Sequence, residues 1–95
     1  GARGVISVAA NIVPRQMHAM VVSYLRGDTG ACRSLQFALL PLIRALFAEV
    51  SPIPVKAAMQ LMELCEGTLR LPLTALEAGK LEALKREMRA LKLIQ

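Results

Sequence analysis

The sequence has few aromatic, cysteine and histidine residues. Its 95 residues include no Trp, one Tyr, two Phe, two Cys and one His. Packing must therefore rest on aliphatic side chains, and this favours helices. Cys32 and Cys65 are too few and too far apart to predict a disulfide framework or a metal site, so we expect two small, reduced core residues in a cytoplasmic protein.

Charge of one sign is not clustered either. Twelve Lys and Arg against seven Asp and Glu give a net charge of +5, which could attract nucleic acid or anionic lipid. The basic residues are scattered singly or alternate with glutamate, without aromatic stacking platforms. No apolar run approaches the ~18 residues of a membrane span. The sequence thus predicts neither a nucleic-acid nor a membrane partner.

Apolar residues are abundant. They make up 55% of the chain, and the mean hydropathy is +0.47. A domain of this size leaves much of its apolar surface uncovered. We therefore expect it to pack against another protein surface.

The first residues predict a strand. Residues 4–8, Gly-Val-Ile-Ser-Val, are a β-branched run of the kind found in buried parallel strands. A single strand cannot form a sheet, so its partner strands must come from elsewhere.

Four helices are expected after this strand, from the spacing of apolar residues and from caps. Pro41 either kinks the second helix or divides it. Thr74 and Glu77 match a capping box before the last helix, and Leu69, Leu71 and Leu73 are expected to pack an extended link onto the helices. The predicted helices are residues 15–26, ended by Gly27; a second one capped by Asp28 and reaching Leu46; 55–65; and 75–93.

Catalytic constellations are scarce in this chain. It has no Cys/His cluster, no phosphate loop and no nucleophile elbow. His18, at the edge of an apolar face, is expected to be solvated or to make a single hydrogen bond. Lys56 has two interpretations: a desolvated Schiff-base lysine, or a structural lysine whose ammonium meets a carbonyl or carboxylate. Its polar neighbours Gln60 and Glu63 favour the second.

Three segments in order resemble the dihydrodipicolinate synthases. They are Gly-Val-Ile-Ser-Val-Ala-Ala-Asn at 4–11, Ser-Pro-Ile-Pro-Val-Lys-Ala-Ala at 51–58 and Leu-Arg-Leu-Pro-Leu-Thr at 69–74. The resemblance covers the whole chain and implies a mostly α fragment. Residues 1–27 would be the last strand and helix of a (β/α)8 (TIM) barrel, and residues 28–95 a C-terminal helical domain. A complete barrel takes ~250 residues, so seven βα units have no counterpart here.

The resemblance also implies a lyase of the diaminopimelate route to lysine. Such an enzyme condenses pyruvate with aspartate semialdehyde through a lysine Schiff base, without a cofactor or metal. The family's catalytic residues lie upstream, so the fragment itself would contain none and be inactive. Ile6 matches the family's isoleucine that contacts pyruvate. Lys56 matches a lysine that is not the Schiff-base residue, and Ser51 replaces the usual asparagine.

Two alternatives remain at this stage. Another pyruvate aldolase of the same superfamily, such as N-acetylneuraminate lyase, would share the barrel. A helical module that oligomerises through its apolar faces would instead be no enzyme. The resemblance to dihydrodipicolinate synthases, in contrast, implies that the partner of this chain is the remainder of the barrel, in a homo-oligomer.

Overall fold

The computed structural model describes all residues, 1–95, and its regular structure is helical. A short 3₁₀ turn, Ala9–Asn11, precedes four α-helices. These are α1, Pro14–Leu25; α2, Thr29–Leu46; α3, Ile53–Leu61; and α4, Ala78–Ala90. The expectation of a mostly α chain is confirmed.

The predicted strand over residues 4–8 is not formed. Residues 1–7 have no regular structure, and their backbone groups make no backbone hydrogen bond. A strand requires a partner that accepts and donates these hydrogen bonds. These 95 residues supply none, so the prediction of a strand is wrong for the chain by itself.

The turn between α1 and α2 follows its predicted chemistry. Proline occupies the first position of α1, where its missing N–H is no loss. After α1, Gly27 has φ +85°, a left-handed conformation that glycine adopts without steric cost. The Asp28 carboxylate then accepts a 3.0 Å hydrogen bond from the Ala31 N–H and caps α2.

Pro41 does not divide α2. The helix is continuous through it, and the residue is exposed. On a solvent-facing side, water can satisfy the Phe37 carbonyl that loses its helical partner. The opposite face of α2 carries Leu39, Leu42 and Leu46, all fully buried.

The third helix is shorter than expected and starts earlier. Pro54 lies in its first turn, where proline is tolerated, so α3 begins at Ile53. It ends at Leu61, and Glu63 adopts φ +59° just beyond. Cys65 therefore lies outside the helix and is exposed, not a core residue as predicted.

The last helix begins three residues later than predicted. Its N-cap is Glu77, whose carboxylate accepts a 2.8 Å hydrogen bond from the Gly79 N–H. The predicted capping box at Thr74 is therefore wrong, because Glu77 itself takes the capping position. In the preceding link Leu69 and Leu73 are half-buried, but Leu71 is 89% exposed and does not pack on the helices.

The core is aliphatic and is shared by all four helices. No polar or charged residue is buried, and the three aromatic side chains, Tyr24, Phe37 and Phe47, are all more than half exposed. α1 packs against α2, and α4 packs against both α2 and α3. The core cluster consists of Ala9, Ile12, Val13, Met17, Met20, Leu39, Leu42, Leu46, Val55, Ala58, Leu84 and Met88.

None of the four helices combines the length and apolar character needed to cross a bilayer.

Candidate functional site

The predicted pyruvate contact, Ile6, lies in the irregular N-terminal segment. Its side chain is fully exposed, and that of Val5 is 59% exposed. The residues just before it, 2–5, lie along the end of α1 and bound an apolar cavity of about 130 Å³ with Met20, Tyr24 and Cys32. No catalytic side chain surrounds Ile6 within this chain.

Lys56 has the structural role that its neighbours favoured. Its Nζ donates a 2.6 Å hydrogen bond to the main-chain carbonyl of Thr68. This contact ties the link after α3 back to the first turns of that helix. The ammonium therefore meets a carbonyl, one of the two structural partners expected from the sequence.

A cavity that the sequence did not predict adjoins this contact. It has a volume of about 520 Å³ and is lined by Lys56 and Arg70 together with Pro52, Thr68, Leu69 and Leu73. Arg70 was not among the sequence-predicted site residues. It lies in an irregular link whose path along α3 has no periodic signal, so nothing in the spacing of Lys56 and Arg70 indicates that both line one cavity.

The other candidates for chemistry lie apart. His18 is exposed at the surface of α1, as expected. Cys32 is half-buried, whereas Cys65 is exposed. No group of three His, Cys, Asp or Glu side chains converges on a point that could hold a metal ion.

One carboxylate has a perturbed pKa. The hydrogen bond from Lys85, 2.7 Å long, and the positive charge of that lysine lower the pKa of Glu82 below its ordinary value. Both groups lie on α4, three positions apart, at the surface. The pair is a helix-surface ion pair and not an acid–base device.

Known proteins match nearly the entire chain. The family model for the dihydrodipicolinate synthetase family matches residues 1–91. The 4-hydroxy-tetrahydrodipicolinate synthase of Methanosarcina mazei is 53% identical over 91 residues, which cover 96% of this chain and 31% of that protein. That of Acetivibrio thermocellus is 51% identical over 89 residues, 94% of this chain and 30% of that protein.

Solved structures match the helical fold equally closely. A dihydrodipicolinate synthase crystal structure superposes with a TM-score of 0.96 at 42% identity, over 99% of this chain and 33% of that one. The enzyme of Thermotoga maritima gives a TM-score of 0.96 at 40% identity, over 99% and 32%.

This chain belongs to the dihydrodipicolinate synthetase family, and it corresponds to a C-terminal part of such a protein. It spans about a third of the length of the relatives it matches.

Proposed function

We propose that these residues are the C-terminal part of a dihydrodipicolinate synthase. The parent protein is a lyase that condenses pyruvate with aspartate semialdehyde through a lysine imine, in the lysine branch of the diaminopimelate pathway. The observation that carries the proposal is the family match over residues 1–91, at about half identity to proteins named 4-hydroxy-tetrahydrodipicolinate synthase. The parent would act in the cytoplasm as a homo-oligomer.

Within that enzyme, residues 1–27 would supply the last strand and helix of the barrel, and residues 28–95 the helical domain. Two features of the N-terminal segment support this role. Its backbone makes no hydrogen bond within residues 1–7, and Val5 and Ile6 are exposed despite their apolar side chains. An unpaired β-branched segment is what a neighbouring strand of a barrel would complete.

Ile6 is the pocket residue in this proposal. At the C-terminal end of the last strand it would face the catalytic mouth of the barrel, where active sites of this fold lie. Its contribution would be an apolar contact with bound pyruvate. The proton transfers and the imine would belong to residues upstream, so the 95-residue chain alone would be inactive.

Borohydride trapping tests the proposal directly. We expect the full natural chain, incubated with pyruvate and treated with borohydride, to gain one 1-carboxyethyl group, which is the mass of pyruvate less one water and plus two hydrogens. The variant Lys56→Met of the same protein should gain the same adduct. The 10.3 kDa chain alone should gain none, and an adduct on its Lys56 would contradict the assignment of the imine to an upstream lysine.

Ile6 is tested by steady-state kinetics in the full natural chain. Replacing Ile6 by Ala removes apolar contact with the substrate and should lower kcat/KM for pyruvate by roughly tenfold or more. Val5→Ala is the matched control, because neighbouring residues of a strand point to opposite faces. Equal effects of the two variants would contradict the pyruvate contact.

The competing function is a helical module that assembles through its exposed apolar side chains. The exposure of Phe37 on α2 and of Phe47 just beyond the end of α2 favours this alternative. The upstream coding sequence distinguishes the two functions. Codons for seven further βα units before Gly1 support the synthase, and a genuine translation start near Gly1 supports the module. The aldehyde that the parent protein accepts as its second substrate identifies which pyruvate aldolase it is.

A further inference from the structure

The cavity of about 520 Å³ beside the first turns of α3 has an unusual charge balance. Two of its six lining residues, Lys56 and Arg70, are cationic, and none is acidic. The chain carries seven Asp and Glu, yet none of their side chains borders this space. The cavity therefore presents positive charge without an internal counter-charge.

The Lys56 ammonium is held in place and still has capacity to bind. Its hydrogen bond to the Thr68 carbonyl is 2.6 Å long and uses one of the three N–H groups of the ammonium. Lys56 takes part in none of the ion pairs of the chain. Two N–H donors of a positioned ammonium thus remain for another acceptor.

Arg70 supplies a second set of free donors. Its guanidinium has five N–H groups in a planar fork that fits carboxylate and phosphate oxygens. The side chain forms neither an ion pair nor a hydrogen bond with the rest of the chain. Both cations that line the cavity therefore have unused donors.

A second pair of cations in the same protein has its charge balanced by partners within the chain. Lys85 and Arg89 line a cavity of about 500 Å³ near the ends of α3 and α4. There Lys85 is bonded to Glu82 at 2.7 Å, Arg89 donates to the Gln95 carbonyl at 3.2 Å, and Glu63 lines the wall. Those charges have partners within the chain.

We propose that Lys56 and Arg70 bind a small oxyanion in the cavity that they share. The ligand class is a carboxylate or a phosphate, since both offer paired oxygens to the guanidinium and a further oxygen to the ammonium. The side chains of Leu69 and Leu73 complete the lining of this cavity and leave the two cations as its only charged groups. This site is separate from Ile6 and does not depend on the proposed function.

Calorimetric titration of the full natural chain tests the site, with inorganic phosphate and succinate as two separate probes at constant ionic strength. We expect saturable binding of at least one. Arg70→Gln should weaken it by about tenfold, since one charge-assisted fork is lost. Arg33→Gln is the matched control, because Arg33 is exposed on α2 and also lacks an ion pair.

The two probes distinguish the sources of the oxyanion. Saturation by phosphate alone assigns a phosphate ligand, and saturation by succinate alone assigns a carboxylate ligand. Arg70→Gln is the decisive variant, because it leaves the hydrogen bond between Lys56 and Thr68 intact. Lys56→Met would also remove that bond and can loosen the link. If neither probe saturates, or if Arg70→Gln and Arg33→Gln bind the saturating probe as the unaltered protein does, the site does not exist.

Discussion

Lys56 and Thr68 are joined by a 2.6 Å hydrogen bond from the lysine Nζ to the threonine carbonyl. The contact spans twelve positions and connects α3 with an irregular segment that has few other backbone hydrogen bonds. It therefore fixes the path of the link toward α4.

Removing this contact should loosen the link. We expect Lys56→Met to lower the free energy of unfolding by about 1 kcal/mol, because the bond is charge-assisted but partly solvated. Amide exchange at Leu73, whose N–H donates to the Arg70 carbonyl in the same link, should accelerate as well. Arg33→Met, which removes a cation that has no partner, should change neither quantity. Unchanged exchange in the Lys56 variant would show that other contacts hold the link.

The burial of leucine side chains predicts a second pair of results. Leu42 is fully buried, whereas Leu71 is 89% exposed. Leu42→Ala should lower the free energy of unfolding by about 2 to 5 kcal/mol, since it removes buried methyl groups and leaves a cavity. Leu71→Ala deletes the same atoms from the surface and should change it by no more than about 0.5 kcal/mol. Chemical denaturation measures both; similar losses would mean that Leu71 is covered by another surface in the natural protein.

Two glycines close together should respond with opposite signs to alanine. Gly27 has φ +85°, so Gly27→Ala should cost about 1 to 2 kcal/mol of stability through backbone strain. Gly30 lies in the first turn of α2, and a Cβ there would meet only the Asp28 carboxylate at an ordinary 3.7 Å. Gly30→Ala should therefore raise stability by up to about 1 kcal/mol. Thermal unfolding of the two variants side by side checks the signs.

The start of α4 distinguishes two capping arrangements. Glu77→Ala removes the acceptor of the Gly79 N–H and should cost about 0.5 to 1 kcal/mol. Thr74→Ala should be close to neutral, because Thr74 makes no side-chain hydrogen bond. A larger loss for Thr74→Ala than for Glu77→Ala in denaturant unfolding would restore the capping box predicted from the sequence.

The Glu82–Lys85 pair predicts a pH dependence of known sign. Since the folded state lowers the pKa of Glu82, the ion pair stabilises the fold above the ordinary value of 4.5, and the stabilisation is lost as the pH falls through the lowered pKa. A carboxyl-detected NMR titration should place the Glu82 midpoint below its ordinary value. Lys85→Met should move that midpoint up, because the first cause of the shift is the hydrogen bond from Lys85. An unmoved midpoint would assign the shift to another group.

Local chemistry made much of this fold predictable. The end of α1 before Gly27, the cap at Asp28 and the apolar face of α2 depend on neighbouring residues alone, so the sequence indicates them correctly. The end of α3 and the start of α4 were misplaced. In both places a glutamate takes an unexpected position, Glu63 at positive φ and Glu77 as a cap, and sequence preferences for these positions favour other residue types.

The strand and the cavity show the limit of prediction from these residues. The β-branched side chains at residues 4–8 are typical of a strand. A strand also needs backbone hydrogen bonds to a second strand, and the pattern of these residues does not supply one. Arg70 lines the same cavity as Lys56 only because the link runs back along α3, and such a path is set by tertiary contacts. The structural role of Lys56 could be anticipated, since its polar neighbours on α3 argued against a desolvated amine.

The placement of all aromatic side chains outside the core determines how this region can be observed. Tyr24 is the only Tyr and is already 52% exposed, and there is no Trp. Intrinsic fluorescence would therefore report only weakly on the loss of the core. The methyl groups of leucine, methionine, valine and isoleucine fill that core instead, so isotope-labelled methyl resonances would report on its packing, and on any barrel that docks against it, side chain by side chain.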